Sequence, residues 1–164
     1  MKVPLSWLGE WVRVGIDART LGSRLTLAGF ELEGITTAAP PFAGVVIAEI
    51  LEALPHAQAE KLQVCRVSTG SGDPVQIVCG ARNARAGLKA ALAVVGAVLP
   101  GDLRIKAAKL RGVESFGMLC SAKELGLAET SEGILELPAD APVGRDLRAW
   151  LRLDDEILEL NVTP

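Results

Sequence analysis

VVGAVLPGDLRIKAAKLRGVESFGMLCS, residues Val94 to Ser121, is the stretch on which the fold turns. Arg104, Lys106, Lys109 and Arg111 meet only two acids in it, Asp102 and Glu114, and glycines at 96, 101, 112 and 117 cut it into short extended pieces. Long cationic side chains alternate with small or apolar ones, the pattern of a strand ribbon with one wet face. Such a ribbon, ending in a glycine-rich turn that bears serine, suits a phosphate backbone. Ordinary surface hairpins carry lysines too, so the reading needs support from the rest of the chain.

Towards the N-terminus, Ala90 to Val95 is an apolar strand reached through Gly87 and Lys89. Lys61 to Thr69 alternates Leu62, Val64, Arg66 and Ser68 against its other set. Val75 to Cys79 follows the Gly70-Ser71-Gly72-Asp73 turn, so the two segments read as a hairpin. Gly44 to Leu54 is a long strand ending at Pro55, and 103–107 supplies another. A ribbon of about five such strands, closed on itself, is a small barrel of the oligonucleotide/oligosaccharide-binding (OB) type.

The flanks differ. Residues 4–14 put Leu5, Leu8, Trp11 and Val12 at helical spacing with Ser6 as a cap, and 20–28 do the same with Leu21, Leu25 and Ala28, capped by Thr20 and stopped at Gly29. Trp7 and Trp11 read as packing residues. Phe30 to Ile35 alternates apolar and acidic residues as an edge strand does, and TTAAPP, 36–41, is the linker to the barrel. Beyond Ser121, Lys123-Glu124-Leu125 is one helical turn ending at Gly126, Gly133 to Leu137 a strand and 145–151 a short helix. Leu153 to Val162 matches Phe30 to Ile35 in composition and is expected to pair with it. The expected fold is therefore mostly β with short helices: a five-stranded OB-type barrel, 40–152, inserted into a small α+β module made of 1–39 and 153–164. The stop at Thr163-Pro164, with no closing turn or helix, reads as the edge of a fragment.

At 49% hydrophobic and 23% charged over 164 residues, the chain has the composition of a packed domain, not a disordered one. It has neither an eighteen-residue apolar run nor a secretory leader pattern, which gives a cytoplasmic, non-membrane expectation. Net charge is −3, but its distribution is uneven: −2 over 1–81, +5 over 82–121 and −6 over 122–164. A polyanion-facing patch on an acidic body has that profile. Cys65, Cys79 and Cys120 form no CxxC pattern and sit in apolar surroundings, as buried thiols do. His56, the sole histidine, reads as a turn or surface residue and not a metal ligand.

Catalysis finds little support. One histidine gives no serine-histidine triad, no GxxxxGK[ST] loop is present, and Asp154-Asp155 reads as a solvated acidic turn. Binding remains. The positive groups available are Lys61, Arg82, Arg85, Lys89, Arg104, Lys106, Lys109 and Arg111. Ser115 and the amides near Gly112 and Gly117 are possible phosphate donors, and Phe116 either stacks on an unpaired base or packs in its turn. With few aromatics in the barrel, backbone and shape contacts are favoured over a stacking platform.

These segments resemble the N-terminal portion of the bacterial phenylalanyl-tRNA synthetase beta subunit. PLSWLGEWV and LGSRLTLAGFELEGI are similar to its first module. HAQAEKLQVCRV, QIVCGARNARAGLKAALAVVGAVLPGDLRIKAAKLRG, ESFGMLCSAKELGL and GILELPADAPVG are similar to its inserted tRNA-binding barrel, and DDEILELNVTP to the return into the first module. Where relatives often show HPNADKL, this chain has His56-Ala57-Gln58-Ala59-Glu60-Lys61-Leu62; Asn83 matches the asparagine of VCGAxN, and Phe116 stands where many relatives have glutamate. The barrel motifs are shared with other tRNA-binding modules.

The resemblance implies a non-catalytic portion of a phenylalanine–tRNA ligase that contacts tRNA(Phe) backbone through a basic barrel face. The candidate contact set is Lys61, Arg82, Asn83, Arg85, Lys89, Arg104, Lys106, Lys109, Arg111, Ser115, Phe116 and Ser121. It implies no cofactor or metal in this segment, ATP and magnesium for the whole enzyme, and a catalytic alpha subunit in an (αβ)2 assembly. Two other readings stay open: a structural spacer that docks neighbouring domains, and a stand-alone tRNA-binding protein.

Overall fold

The computed structural model describes residues 1–162; Thr163 and Pro164, the end of the expected return segment, lie outside the described residues. In chain order the elements open with β1 (Lys2–Pro4), α1 (Leu5–Gly9), α2 (Ala18–Leu27) and β2 (Phe30–Thr37). The barrel strands follow as β3 (Ala43–His56), β4 (Ala59–Ser68), β5 (Val75–Cys79) and β6 (Lys89–Leu99). Then come β7 (Leu103–Arg104), β8 (Ala108–Leu110), β9 (Val113–Ser115), β10 (Gly117–Leu119), β11 (Glu136–Leu137), α3 (Leu147–Trp150) and β12 (Glu156–Val162). The chain divides into two compact units, one made of 1–39 with 152–164 and one of 40–151.

In the first unit β12 lies between β1 and β2, antiparallel to both, with Leu158 opposite Val3 and Ile35. Its core is small: Val3, Ala18, Leu158 and Leu160 are buried against Leu5, Leu8, Leu21, Leu25, Leu32 and Ile35. The return segment pairs with β2 as its composition indicates, and β2 is an edge strand. Several local details differ from expectation. The first helix is a single turn, because Gly9 ends it and its cap comes from far along the chain. Asp155 accepts the Ser6 N–H at 3.0 Å and the Ser6 hydroxyl at 2.6 Å, so Asp155 caps the turn and Ser6 is the donor. Asp155 is thus not merely a solvated acid. The second helix starts earlier than expected, because Asp17 is its cap and accepts the Thr20 amide at 2.9 Å and the Thr20 hydroxyl at 2.7 Å. Those bonds hold the Asp17 carboxyl below its usual range. Trp7 and Trp11 are exposed, contrary to the packing role expected of them, since a one-turn helix has too little surface to bury both.

In the second unit the main sheet runs β10-β6-β3-β4-β5. Ala48, Ile50, Cys65, Val67, Ile77, Ala90, Leu92 and Leu119 form its core. The central strands β3 and β6 are also buried on their outer side at Val45, Ile47, Ala91 and Ala93. The segment before α3 runs beside β3 in the plane of the sheet, with Gly144 N–H donating to the Ile47 carbonyl at 2.7 Å and Ile47 N–H to the Arg145 carbonyl at 2.9 Å, and α3 packs against β3 with Leu147 buried. Two covered faces explain why both strands read as near-continuous apolar runs.

The sheet curls until its outer strands meet. Phe116 N–H donates to the Gln76 carbonyl at 2.9 Å, and the Gln76 amide nitrogen donates to the Glu114 carbonyl at 2.8 Å. Val78 N–H donates to the Ser115 hydroxyl at 3.0 Å. These bonds replace a continuous ladder between β5 and β10, which leaves a partly open five-stranded barrel of the OB type. Several predicted boundaries move, and β6, expected to stop at Val95, runs on through Gly96 to Leu99. Thr36 and Thr37 belong to β2 and not the linker, β3 runs through Pro55 to His56, and 133–137 pairs only at Glu136–Leu137. The 103–107 strand is regular only at β7, although Ile105 carries its bonds to Gly96 and Ala97 one residue further. The three-residue strands β8, β9 and β10 were not predicted, being too short for a periodicity to register.

Candidate nucleic-acid interface

Residues 101–112 form a ribbon on the barrel surface. Every residue in it is exposed except Ile105, whose side chain is buried and pins the ribbon to β6. Arg104 sits opposite Val98, itself paired with Ala43 at the start of β3, while the Leu110 carbonyl lies 3.3 Å from Nε2 of His56 at the end of β3. The ribbon therefore travels from one end of β3 to the other, carrying Arg104, Lys106, Lys109 and Arg111 in a line. None of these four side chains has a hydrogen bond or ion pair among the described residues. Arg111 takes a positive φ of 49° beside Gly112 at 87°, which makes the tight β8–β9 turn. Glu114, opposite Lys109 across that hairpin, and Asp102 are the only acids nearby in the chain.

Lys61 and Arg82 are likewise unpaired among the described residues, and both line a shallow groove with Glu60, Gln63, Gly80 and Ala81. That groove lies near the β3–β4 turn, the same end of the sheet that the tip of the β8–β9 hairpin reaches. The other cations of the middle third are committed. Arg85 binds Glu136 in a two-pronged pair, both contacts 2.8 Å, and also donates to the Asn83 carbonyl at 3.0 Å. The Arg85 hydrogen bonds and then that of Asn83 hold the Glu136 carboxyl down to about 2, and the same pair raises Arg85. Lys89 donates to the Ala141 carbonyl at 2.7 Å. Thus part of the last third folds back onto residues 83–89, neutralising Arg85 through Glu136 and tying Lys89 down on a backbone carbonyl.

The polar candidates are structural in the same sense. Asn83 clamps the Ile134 backbone, accepting its N–H at 3.0 Å and donating to its carbonyl at 2.9 Å, with a further bond to Glu136 at 3.1 Å. Ser115 is buried, accepting from Val78 and donating to the Gly117 carbonyl at 3.1 Å, so it offers nothing to a phosphate. Ser121 donates its hydroxyl and its amide to Glu124, both at 2.7 Å, and accepts the Glu124 amide at 3.2 Å, a reciprocal cap on the 121–125 turn. Phe116 is 42% exposed at the barrel seam, with its backbone tied to Gln76. His56, expected as a turn or surface residue, stands at the β3–β4 turn but is buried, and its tie to the Leu110 carbonyl is what sequence reasoning missed. The three thiols are buried, and desolvation pushes Cys65 up to about 11 and Cys120 to about 12, so neither is a thiolate nucleophile at neutral pH.

The strand order is that of an OB-type barrel, and the 101–112 ribbon is an exposed cationic segment on its surface. The family model of the putative tRNA binding domain matches residues 45–146, and the chain belongs to that family. Over all 164 residues the chain is 60% identical to the phenylalanine–tRNA ligase beta subunit of Methylococcus capsulatus, 50% to that of Acinetobacter baylyi and 52% to that of Pectobacterium atrosepticum. In each case the match spans the whole of this chain but only 21% of the relative's length. Among the described residues no helix is long and apolar enough to cross a membrane.

Proposed function

We propose that this chain is the N-terminal, non-catalytic part of the beta subunit of a cytoplasmic phenylalanine–tRNA ligase, and that the 101–112 ribbon contacts the tRNA backbone. The unit of 40–151 is the RNA-contacting barrel, and 1–39 with 152–164 is the module that carries it. Lys61 and Arg82 extend the contact at the β3–β4 end; Arg85, Lys89, Asn83, Ser115 and Ser121 shape the barrel. The ATP and magnesium chemistry, the alpha subunit and the (αβ)2 assembly belong to the whole ligase, with tRNA(Phe) as its RNA.

The observation that carries this reading is the line of four cations, with no partner among the described residues, inside the matched family segment. Cations with no internal partner keep their full charge for phosphate, and a line of them follows a backbone better than a cluster does. Photocrosslinking tRNA to the parent protein and mapping the adducts tests it: adducts are expected at 101–112. A second reading, a spacer that only docks neighbouring domains, is favoured by the barrel unit's balance of twelve lysines and arginines against twelve acids. Adducts confined to other domains would select the spacer.

A further inference from the structure

We infer that Phe116 stacks on one unpaired base of the RNA strand whose phosphates lie on the 101–112 ribbon, so that the module prefers a strand with an open base to a closed duplex. This rests on the proposed RNA contact of the ribbon. The barrel unit has three aromatic residues, Phe42, Phe116 and Trp150. Phe42 is buried, with the Arg148 guanidinium 5.0 Å from its ring centre, and Trp150 is half-buried at the end of α3. Phe116 is the exposed one, 42% open at the barrel seam.

The register of the sheet brings that residue to the ribbon. Along one edge of β6, Gly117 of β10 is opposite Val94; further along, the Gly96 N–H donates to the Ile105 carbonyl at 2.8 Å and Val98 is opposite Arg104. Val95 stands between the two contacts and is 50% exposed. Phe116 precedes Gly117 and Lys106 follows Ile105, so the two backbones converge on Val95, one bringing an aromatic ring and the other a cation. The corner that carries the ring is braced. Phe116 N–H donates to the Gln76 carbonyl at 2.9 Å, Ser115 is buried and bonded to Val78 and the Gly117 carbonyl, and Gly117, at a φ of 148°, lies too close to the Ala93 carbonyl for a side chain. An exposed ring on a fixed corner loses little freedom when a flat ligand covers it. Any base has a face to offer such a ring, and one ring makes a single stack, not a platform. The phosphates of the same strand then fall to Lys106 and the ribbon cations on either side of it. In a closed duplex the base faces are already covered by their neighbours, so the ring gains nothing.

The test uses the full chain with three probes: an unfractionated transfer-RNA preparation, a short single-stranded RNA of mixed sequence and the duplex of that sequence. Phe116→Ala should weaken binding to transfer RNA and to the single strand about fivefold to hundredfold, the worth of one stacked base, with little change on the duplex. The slope of log affinity against log salt should stay that of the parent, because no charge is removed. Phe116→Leu keeps an apolar side chain at the corner and should lose binding in the same way, which keeps the test valid where Phe116→Ala lowers the unfolding midpoint. Phe116→Trp should retain the affinity and add tryptophan emission, above the parent's, that the single strand quenches. Parent-like affinity in Phe116→Ala and Phe116→Leu, while Lys106→Glu weakens binding, overturns the inference and leaves the ribbon contact standing. An equal loss on single strand and duplex, or emission from Phe116→Trp that RNA leaves unchanged, also overturns it. Absence of binding of every probe by the parent overturns the ribbon contact and the stack together.

Discussion

Ser115→Ala separates a serine that holds the barrel shut from one that meets RNA. The hydroxyl accepts from Val78 N–H at 3.0 Å and donates to the Gly117 carbonyl at 3.1 Å, in a site only 2% exposed. Removing it leaves a buried N–H without a partner, costing about 1–3 kcal/mol. Loss of the second bond adds about 0.5–1 kcal/mol. The total, about 1.5–4 kcal/mol, is a large fraction of a typical domain's stability of about 5–15 kcal/mol. For a barrel of this size it corresponds to a fall in Tm of roughly 10 °C. Two bonds across the same seam survive, Phe116 to Gln76 and Gln76 to Glu114, so the barrel should stay folded at room temperature. Thermal and urea unfolding followed by circular dichroism reads the stability, and tRNA titration below the transition reads the binding. A variant as stable as the parent but with tenfold weaker RNA binding would refute the reasoning, because the hydroxyl would then be acting on the ligand.

Three further outcomes follow from the geometry. Glu136 has a depressed folded-state carboxyl, so its stabilising effect is complete above the ordinary carboxylate range and lost as pH falls from about 4.5 towards 2. Urea midpoints of the parent and Glu136→Gln should therefore differ at pH 7 and converge by pH 2, and a constant gap across that range would contradict the pairing with Arg85. Gly133→Ala drives a Cβ into the Asn83 carboxamide at a φ of 109°, so it should lower stability by about 2–4 kcal/mol and loosen the 133–136 segment in hydrogen exchange. Asp155→Ala removes the remote cap of α1 and should cost about 1 kcal/mol, with faster amide exchange at Ser6.

The barrel was legible because its long strands announce themselves: β4 alternates Cys65 and Val67 inward with Arg66 outward, and the 70–73 turn marks the hairpin. The return of β12 to β2 was legible from matched acidic–apolar alternation. The site was legible only in part, for a reason of sequence distance. Counting charge in blocks treats residues 82–89 as free cations, yet Arg85 and Asn83 find Glu136, and Lys89 finds Ala141, some fifty residues later. Ser115 resembles a loop serine until the sheet closes beside it, since its burial depends on β5 arriving from 37 residues earlier. The burial of His56 was missed for the same reason: its partner Leu110 is 54 residues away. Asn83 in VCGARN did carry a signal, and in the structure it clamps the Ile134 backbone. The four ribbon cations were correctly singled out as exposed charge, because a short exposed strand with positive-φ turns has no later segment covering it.

The most direct measurement is the salt dependence of tRNA binding by the full chain and by Lys106→Glu/Lys109→Glu. Each phosphate that a lysine no longer neutralises should reduce the slope of log affinity against log salt by roughly 0.7–0.9. The double reversal is therefore expected to flatten the slope by about 1.4 or more and to weaken binding about tenfold or more near 0.1 M salt. Reversal of Lys123 and Arg145, exposed cations off the ribbon, should change both far less. Equal effects from the two pairs, or no effect from the ribbon pair, would contradict the assignment of the 101–112 ribbon to RNA.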